Sequence, residues 1–388
     1  MRKLPLLIAL LLTVSLASAW DVSKKYTGPK TPTTDTTWHP DILKGYEARY
    51  VNQGEAFDGP CRSTIIRKLR KGGSKKAFLY VHGFNDYFFQ GEMGDRFVDS
   101  GFNFYAVDLR RYGRSYEPWQ YPFNIRKQEE YFADIDSAIA QIRRDGNTDI
   151  TLGGHSTGGL TVAFMGAMKG KDVGVERIVT DSPFLEWNFN SFMRNIAAPT
   201  IGFFGKMFPN GKIKQGHCDG YAYSLLKEYY GEWTYNTDWK MIYSPPVTMS
   251  WVGAINRAQS KTMKNAKNIS VPILVMHSSR KIDGCNYTPE FQTGDAVLDP
   301  FMLQKRGVQI IESQEKAYEK ALKAEQKSKV QRSKSGQASR ITGVTLPPDG
   351  YRSEVCTIDS GLHDLILSKK ESRDAAYDTI FSFIRRHM

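Results

Sequence analysis

Short apolar runs alternate with longer amphipathic segments through the first half of the chain. The runs 77–81 and 102–107 are almost wholly apolar, which is typical of strands buried on both faces of a sheet. Between 127 and 144 the apolar residues recur at helical spacing instead, so this segment is predicted to be an amphipathic helix. Strands and helices that alternate in this way predict an α/β fold built on a doubly wound, mostly parallel sheet.

Six strands are expected in this part of the chain, after which the alternation stops. From 184 to 268 aromatic and glycine residues crowd together without a regular repeat, which favours a mainly helical cap inserted after the sixth strand. The strand pattern returns at 271–277 and 354–358, and a final helix is expected at 371–387. The six strands before the cap are 48–51 and 63–67, which form a hairpin, then 77–81, 102–107, 150–153 and 177–180.

With 388 residues, of which 40% are hydrophobic, the chain is long enough to bury a sizeable core and to carry an inserted subdomain. Composition and pattern divide it into successive parts. The expected order is a signal peptide (1–19), an N-terminal arm (20–45), the first part of the core (46–183), the cap (184–268) and the second part of the core (269–388), which includes a basic insertion at about 312–345.

The N-terminus has the three regions of a secretory signal. Arg2 and Lys3 precede an apolar stretch over 4–16, and Ala17-Ser18-Ala19 follows it. We expect cleavage after Ala19 and export of the mature protein to the periplasm or the medium. A membrane anchor is the alternative, but about 15 apolar residues are fewer than the ~20 that span a bilayer.

Four cysteines remain in the expected mature chain. They are Cys61, Cys218, Cys285 and Cys356. An even number of cysteines in an exported protein favours disulfides, with three possible connectivities, and buried free thiols are the alternative. No Cys-x-x-Cys spacing occurs, which argues against structural zinc and thioredoxin-like chemistry.

The basic charge is concentrated in one stretch. The chain has 53 Lys and Arg against 41 Asp and Glu, a net charge of +12, and eight of the basic residues lie between 316 and 340. A helix is expected over 312–325 by propensity, and 327–340 has almost no apolar residues, so we expect it to be solvated and mobile. Because the surplus is local, we expect no nucleic-acid partner and at most peripheral contact of 316–340 with an anionic membrane surface.

Gly154-His155-Ser156-Thr157-Gly158 is the motif that carries most of the chemistry. It lies between the apolar runs 150–153 and 160–165, which predicts a strand, a sharp turn and a helix. In a nucleophile elbow a serine occupies such a turn, and glycines two residues to either side let the strand and helix approach closely. The alternative is an ordinary glycine-rich turn before a helix.

A serine nucleophile needs a base, an acid that orients the base, and two N–H donors for the oxyanion. Enzymes with such an elbow carry nucleophile, acid and histidine in that order along the chain. Of the seven histidines, only His363 lies between the last predicted strand and the last helix, so we expect it to be the base. Asp283, Asp295 and Asp299 are candidates for the acid, and we prefer Asp295. The expected donors are the backbone N–H groups of Thr157 and Phe84.

Four ordered motifs, at 81–87, 108–115, 154–159 and 361–364, resemble the α/β-hydrolase group that contains monoacylglycerol lipases, lysophospholipases and serine aminopeptidase-like domains. The resemblance runs from about residue 46 to the C-terminus. It implies an α/β-hydrolase fold with a cap, Ser156 as nucleophile, His363 as base, and the N–H groups of Phe84 and Thr157 as the oxyanion hole.

The sequence departs from the group in three places. The loop 278–299 is long where the lipases usually have their acid soon after a strand, which is why three aspartates stay open. A second histidine, common after His82-Gly83 in monoacylglycerol lipases, is missing. The resemblance therefore does not imply a monoacylglycerol substrate. The basic insertion is additional.

The leading interpretation is therefore an exported serine hydrolase of carboxylic esters, with lipid-like acyl esters as substrates. A serine aminopeptidase-like enzyme is the first alternative, and Glu232 or Asp238 would then hold the free α-amine. A non-catalytic exported binding protein on the same fold is the second. No metal, organic cofactor or obligate protein partner is implied.

Overall fold

The computed structural model describes residues 27–214, 216, 218–335 and 350–388, and the side chains of 328–335 lie outside the description. The expected signal peptide (1–19) also lies outside the described residues. Within the described ranges, every helix is too short or too polar to cross a membrane.

Among the described residues, a nine-stranded sheet forms the centre of the molecule. Its strands are β1 (His39–Pro40), β2 (Glu47–Ala56), β3 (Gly59–Lys68), β4 (Lys76–Val81), β5 (Asn103–Asp108), β6 (Asp149–His155), β7 (Arg177–Asp181), β10 (Ile273–Ser278) and β11 (Glu354–Ile358), with β8 (Lys212–Ile213) and β9 (Val247–Thr248) paired outside the sheet. The order across the sheet is β1-β2-β3-β5-β4-β6-β7-β10-β11. The six strands from β5 to β11 in this order run parallel, while the hairpin of β2 and β3 joins them in antiparallel fashion.

Helices cover both faces of the sheet, as the alternation in the sequence predicts. Along β4, Ala77, Leu79 and Val81 enter one core layer, and Phe78 and Tyr80 enter the other. A strand in that position has no polar face, which explains its uninterrupted apolar run. The helices are α1 (Gly91–Asp99), α2 (Glu130–Arg144), α3 (Thr157–Lys169), α4 (Ala198–Phe204), α5 (Gly220–Leu225), α6 (Met249–Asn265), α7 (Pro300–Ser335) and α8 (Lys370–Arg386).

The cap contains three of these helices. A π-helical turn at Met193–Ala197 precedes α4, and the short β8–β9 pair and α5 follow it. The last helix of the cap, α6, packs against both α4 and the core helix α3. The part of the chain assigned to the cap is therefore anchored directly on the core next to the predicted elbow.

The helix predicted at 312–325 begins earlier, at Pro300, and runs to Ser335. Propensity missed the first part because Gly307 is a poor helix former. A side chain at this glycine would lie 2.9 Å from Val355 and 3.1 Å from Val275, so its absence lets α7 lie against β10 and β11. The rest of the predicted mobile segment, 336–340, lies outside the described residues.

One disulfide forms among the four cysteines. Cys218 of the cap is bonded to Cys285, which lies between β10 and α7. Cys61 is a buried free thiol and Cys356 is a partly exposed one. The expected disulfide and the alternative of free thiols therefore both occur. The disulfide joins the cap to the loop that carries the candidate acids.

Candidate active site

The predicted elbow is a sharp turn between β6 and α3. Ser156 has φ 52° and ψ −117°, a region that non-glycine residues rarely occupy. Its N–H donates to the carbonyl of Asp181, 2.9 Å away, and its own carbonyl accepts from the N–H groups of Leu160 and Phe184. Backbone hydrogen bonds on both sides therefore hold the strained conformation.

The two glycines of the elbow are required by contacts with backbone atoms. A β-carbon on Gly158 would lie 2.3 Å from the carbonyl oxygen of His82 and 2.4 Å from that of Val81. One on Gly154 would lie 2.6 Å from the carbonyl oxygen of Gly158. Backbone atoms in a sheet cannot move aside, so α3 approaches β4 and β6 this closely only with glycine at both positions.

A line of hydrogen bonds joins three of the predicted site residues. His363 Nε2 lies 2.9 Å from Ser156 Oγ, and His363 Nδ1 lies 3.0 Å from Asp295 Oδ2. All three side chains are buried. The second oxygen of Asp295 accepts from the N–H groups of Val297 and Leu298 at 2.7 Å each, which fixes the plane of the carboxylate.

The other two candidate acids lie elsewhere. The side chain of Asp283 is 83% exposed and pairs with Lys281. Asp299 precedes α7 and accepts a hydrogen bond from the N–H of Phe301 at 3.0 Å, as a helix N-cap does. Of the three aspartates, the structure brings Asp295 to His363.

The two predicted oxyanion donors lie on either side of Ser156. Thr157 is the first residue of α3, where an N–H has no partner within the helix. Phe84 lies in the loop 82–90 between β4 and α1, here called the Phe84 loop. Gly83 of this loop lies so close to the elbow that a β-carbon on it would be 3.1 Å from the Ser156 β-carbon. Among the described residues, neither N–H donates to a protein acceptor.

Sequence reasoning missed a cluster of buried charged groups beneath the elbow. His155 Nε2 lies 3.7 Å from Asp364 and its Nδ1 lies 3.9 Å from Asp181, while Lys240 Nζ lies 2.8 Å from Asp86 Oδ1. Asp86, Asp181 and Lys240 are not adjacent to any predicted site residue, so the sequence did not mark them. His155 is adjacent to Ser156 and Asp364 to His363, and this adjacency was the available signal.

Burial sets the protonation of this cluster. It raises the pKa of Asp181 to about 7 and that of Asp364 to about 7, because a charged carboxylate loses its hydration there. Burial is the largest single influence on Asp86 and acts in the same direction, but the ammonium of Lys240 together with the nearby His82 and His155 outweighs it and leaves the pKa of Asp86 below its ordinary value.

Three members of the cluster have the residue types of metal ligands. Potential ligand atoms of Asp86, His155 and Asp364 lie within 4.8 Å of one another in the described part of the chain. Lys240 already supplies a positive charge to Asp86, so the three do not form a free ligand set. We assign no metal to them.

A cavity of about 620 Å³ opens above Ser156. Besides Ser156 and His363, its polar lining includes Asn85, Asn188, Lys214 and Lys240. The Cys218–Cys285 disulfide lines one wall, so the cap and the loop after β10 meet there. Most of the lining is apolar or aromatic and comes from the cap, with Trp187, Met193, Ile201, Ile213, Leu225, Met241, Val247 and Trp251.

A family model described as serine aminopeptidase, S33, matches residues 72–281. The chain belongs to this family. The span that matches the family contains the Phe84 loop and the elbow, whereas Asp295 and His363 lie beyond it. No curated protein matches the sequence.

Solved structures share the fold at low identity. A monoacylglycerol lipase from Paleococcus ferrophilus is 16% identical, with a TM-score of 0.52, and the match covers 84% of this chain and 99% of that one. A soluble variant of monoglyceride lipase from Saccharomyces cerevisiae is 13% identical, with a TM-score of 0.53, covering 94% and 100%. A carboxyl esterase from Bacillus coagulans is 12% identical, with a TM-score of 0.56, covering 88% and 98%. The predicted α/β-hydrolase fold is confirmed.

Proposed function

We propose that the protein is a serine hydrolase of carboxylic esters and that its substrates are lipid-like acyl esters. The observation that carries the proposal is the hydrogen-bonded line Ser156–His363–Asp295 at the bottom of an apolar cavity. Nucleophile, base and acid at these distances are what acyl transfer from a serine requires.

Acylation follows from the geometry. Ser156 Oγ attacks the ester carbonyl while His363 Nε2 takes its proton, and the carboxylate of Asp295 holds the imidazolium through Nδ1–H. The oxyanion accepts hydrogen bonds from the N–H groups of Phe84 and Thr157, which have no other acceptor among the described residues. His363 then gives the proton to the departing alkoxide, which leaves as the alcohol, and Ser156 carries the acyl group.

Deacylation repeats these steps with water. His363 takes a proton from the water molecule as the water attacks the acyl-enzyme carbonyl, and the same two N–H groups receive the second oxyanion. The proton returns to Ser156 Oγ as the carboxylic acid leaves. No further group is required for this cycle.

The apolar cap favours a lipid-like acyl chain. The cavity is lined mainly by apolar side chains, and burial of each methylene contributes about 0.8 kcal/mol. Six large apolar residues on the cap are also 47–65% exposed, which is typical of surfaces that meet a lipid or a protein. They are Phe189, Phe192, Ile196, Phe203, Met207 and Phe208.

The aminopeptidase alternative has less support. Glu232 pairs with Arg373 at 3.3 Å, and neither Glu232 nor Asp238 lines the cavity. The carboxylate that does line it, Asp86, is paired with Lys240. A free α-amine would therefore meet a lysine where it needs an unpaired carboxylate.

The test combines an active-site probe with a substrate panel. A fluorophosphonate should label the wild type, and Ser156→Ala should abolish labelling and lower p-nitrophenyl ester hydrolysis by at least about 10⁴-fold. Ser260→Ala, an exposed serine on α6, is the matched control. Turnover that persists in Ser156→Ala would exclude the mechanism, and faster turnover of amino-acid nitroanilides than of esters would favour the aminopeptidase.

We also propose export, since a disulfide between Cys218 and Cys285 is typical of oxidising compartments. Mass spectrometry of the mature protein should find Trp20 as its first residue. Contact of 316–340 with an anionic membrane stays a separate proposal, supported by the exposed basic side chains on the described part of α7. Binding to vesicles that contain phosphatidylglycerol should weaken with salt and should disappear when the segment is deleted.

A further inference from the structure

The Phe84 loop is bonded to the cap through the residue that follows Phe84. Asn85 Nδ2 donates to the carbonyl of Met241 at 2.7 Å and to Ser244 Oγ at 3.0 Å, and Asn85 Oδ1 accepts from the N–H of Met241 at 2.8 Å. Asn85 itself has φ 50°, in the left-handed region that asparagine tolerates at some cost. Three hydrogen bonds from the cap thus select the conformation of the peptide next to the candidate oxyanion donor.

A buried ion pair forms the second connection. Lys240 Nζ lies 2.8 Å from Asp86 Oδ1, and the two side chains are 7% and 1% exposed. The other oxygen of Asp86 accepts from the N–H of Gly83 at 3.3 Å. The ammonium of a cap residue is therefore linked, through one carboxylate, to the residue that precedes Phe84.

Aromatic contacts continue the attachment along the loop. Tyr87 Oη accepts from the N–H of Asn236 at 2.8 Å, and its ring meets the edge of Trp239 with centroids 5.2 Å apart. Phe89 packs on Tyr235 with centroids 4.9 Å apart. Cap segment 235–244 therefore contacts the Phe84 loop on both sides of Asp86.

We propose that cap segment 235–244 sets the position of the Phe84 N–H, with Asn85 and Lys240 as positioning residues for stabilisation of the oxyanion. The inference rests on the proposed function, because the Phe84 N–H matters to rate only if an oxyanion forms beside it. An oxyanion donor acts within a narrow range of distances, so a small shift of the loop lowers kcat while substrate binding stays intact. The cap then contributes to the chemical step as well as to substrate choice.

Two substitutions test the connections separately. Asn85→Gly removes the three hydrogen bonds to the cap and leaves a residue that adopts positive φ without strain. Lys240→Met removes the ammonium and keeps most of the apolar stem. Because Lys240→Met leaves the Asp86 carboxylate buried without its partner, the double variant Asp86→Asn/Lys240→Met is made alongside it. Lys261→Met on α6, which breaks an ion pair with Glu129, is the matched control.

The measurements separate positioning from binding. Each variant is assayed for kcat and KM with a p-nitrophenyl ester, and for inhibition by an alkyl trifluoromethyl ketone, which forms an oxyanion on Ser156, and by the matched alkyl methyl ketone, which serves as a ground-state ligand. We expect kcat and trifluoromethyl ketone affinity to fall together by about 10- to 100-fold, less than the 10²- to 10³-fold typical of a lost donor. KM, methyl ketone affinity and the Lys261→Met control should stay within about threefold of wild type.

Several outcomes would overturn the inference. A rise in KM at unchanged kcat would make Asn85 and Lys240 substrate-binding residues, and equal weakening of both ketones would indicate general loss of structure. If Lys240→Met does not fold, Asn85→Gly and the double variant decide, and wild-type kcat in both would refute the inference. Fluorophosphonate labelling of wild-type Ser156 separates failure of this inference from failure of the proposed function, because absence of labelling would count against the proposed function itself.

Discussion

The elbow and the loop that carries Asp295 reach the same histidine by different physical means. In the elbow, five consecutive residues supply the turn, and Gly154 and Gly158 leave no room for a β-carbon beside backbone atoms of the turn itself and of Val81 and His82. Asp295 lies in the loop 279–299, here called the Asp295 loop, and contacts His363 across 68 positions of sequence. The elbow motif is complete within one short stretch of sequence, whereas the place of Asp295 is decided by where a long loop lies in the folded protein.

Hydrogen bonds within the Asp295 loop and a covalent link to the cap hold it in place. The backbone of Asp295 exchanges hydrogen bonds with the strand-like segment at Arg280 and Ile282, at 2.9 and 2.7 Å. The disulfide of Cys285 ties the loop to the cap. We infer that the position of the candidate acid depends on the cap more strongly than the elbow does.

The largest effect should come from the acid itself. Asp295→Asn keeps the shape of the side chain but loses the charge that orients His363 and stabilises its imidazolium, so kcat should fall by about 10³- to 10⁴-fold with little change in melting temperature. Asp283→Asn and Asp299→Asn are matched controls, and each should keep kcat within about threefold of wild type. A larger loss in either control than in Asp295→Asn would assign the acid differently.

A methyl group in the elbow should act on folding. Gly158→Ala forces a β-carbon to within 2.3 Å of a backbone carbonyl, and we expect a loss of at least about 3 kcal/mol in the free energy of unfolding. Gly166→Ala on the same helix meets only the end of the Ile178 side chain, 2.8 Å away, and should cost less than about 1 kcal/mol. Urea denaturation compares the two, and equal stabilities would refute the steric account of the elbow.

Removal of the disulfide should affect the Asp295 loop more than the elbow. The double variant Cys218→Ser/Cys285→Ser opens a covalent link between residues 67 positions apart and should lower the free energy of unfolding by about 2–4 kcal/mol. At a temperature where it is still folded, kcat should fall while fluorophosphonate still labels Ser156. Cys356→Ser, at a partly exposed free thiol, is the control. An unchanged stability and kcat would show that other contacts suffice to hold the loop.

The same difference explains how far the sequence predicts this molecule. The core strands follow from their apolar runs, and the elbow from five consecutive residues, because a short stretch of sequence contains each of these patterns in full. The order of motifs was enough to choose His363 among seven histidines. Asp295 stayed one of three candidates, since the way a long loop folds decides which aspartate lies beside His363.

Other features were out of reach for the same reason. No local pattern distinguishes Cys218 and Cys285 from the two free cysteines, because the pairing depends on how the cap sits on the Asp295 loop. The start of α7 at Pro300 also depends on tertiary contacts, since Gly307 disfavours a helix until β10 and β11 are beside it.

The smallest effect concerns Asp181 and Asp364, two buried carboxyl groups where the elbow and the Asp295 loop meet. The carboxylate of Asp181 accepts a hydrogen bond from the N–H of Leu365, two residues after His363, and Asp364 follows His363 directly. Burial raises the pKa of each to about 7, whereas an aspartate in an unfolded chain titrates near about 4. Between these values the folded protein binds more protons than the unfolded chain, so this contribution to stability is present at about pH 4 and is lost as the pH rises to about 7.

Asp364→Asn should lose less stability than wild type as the pH rises, because the amide stays neutral. The stability of Asp364→Asn relative to wild type should therefore increase by about 1–3 kcal/mol between pH 4 and pH 8, less than an isolated buried carboxyl would give because Asp181 shares the site. Asp86 acts in the opposite sense, since its lowered pKa adds stability that is lost only at more acidic pH. Urea denaturation of wild type and Asp364→Asn across this pH range measures the difference. Asp283→Asn, at an exposed aspartate, is the control, and its stability relative to wild type should change less with pH. A constant difference between wild type and Asp364→Asn would mean that the buried carboxyl is already ionised at pH 4, and that His155 and Lys240 compensate its charge.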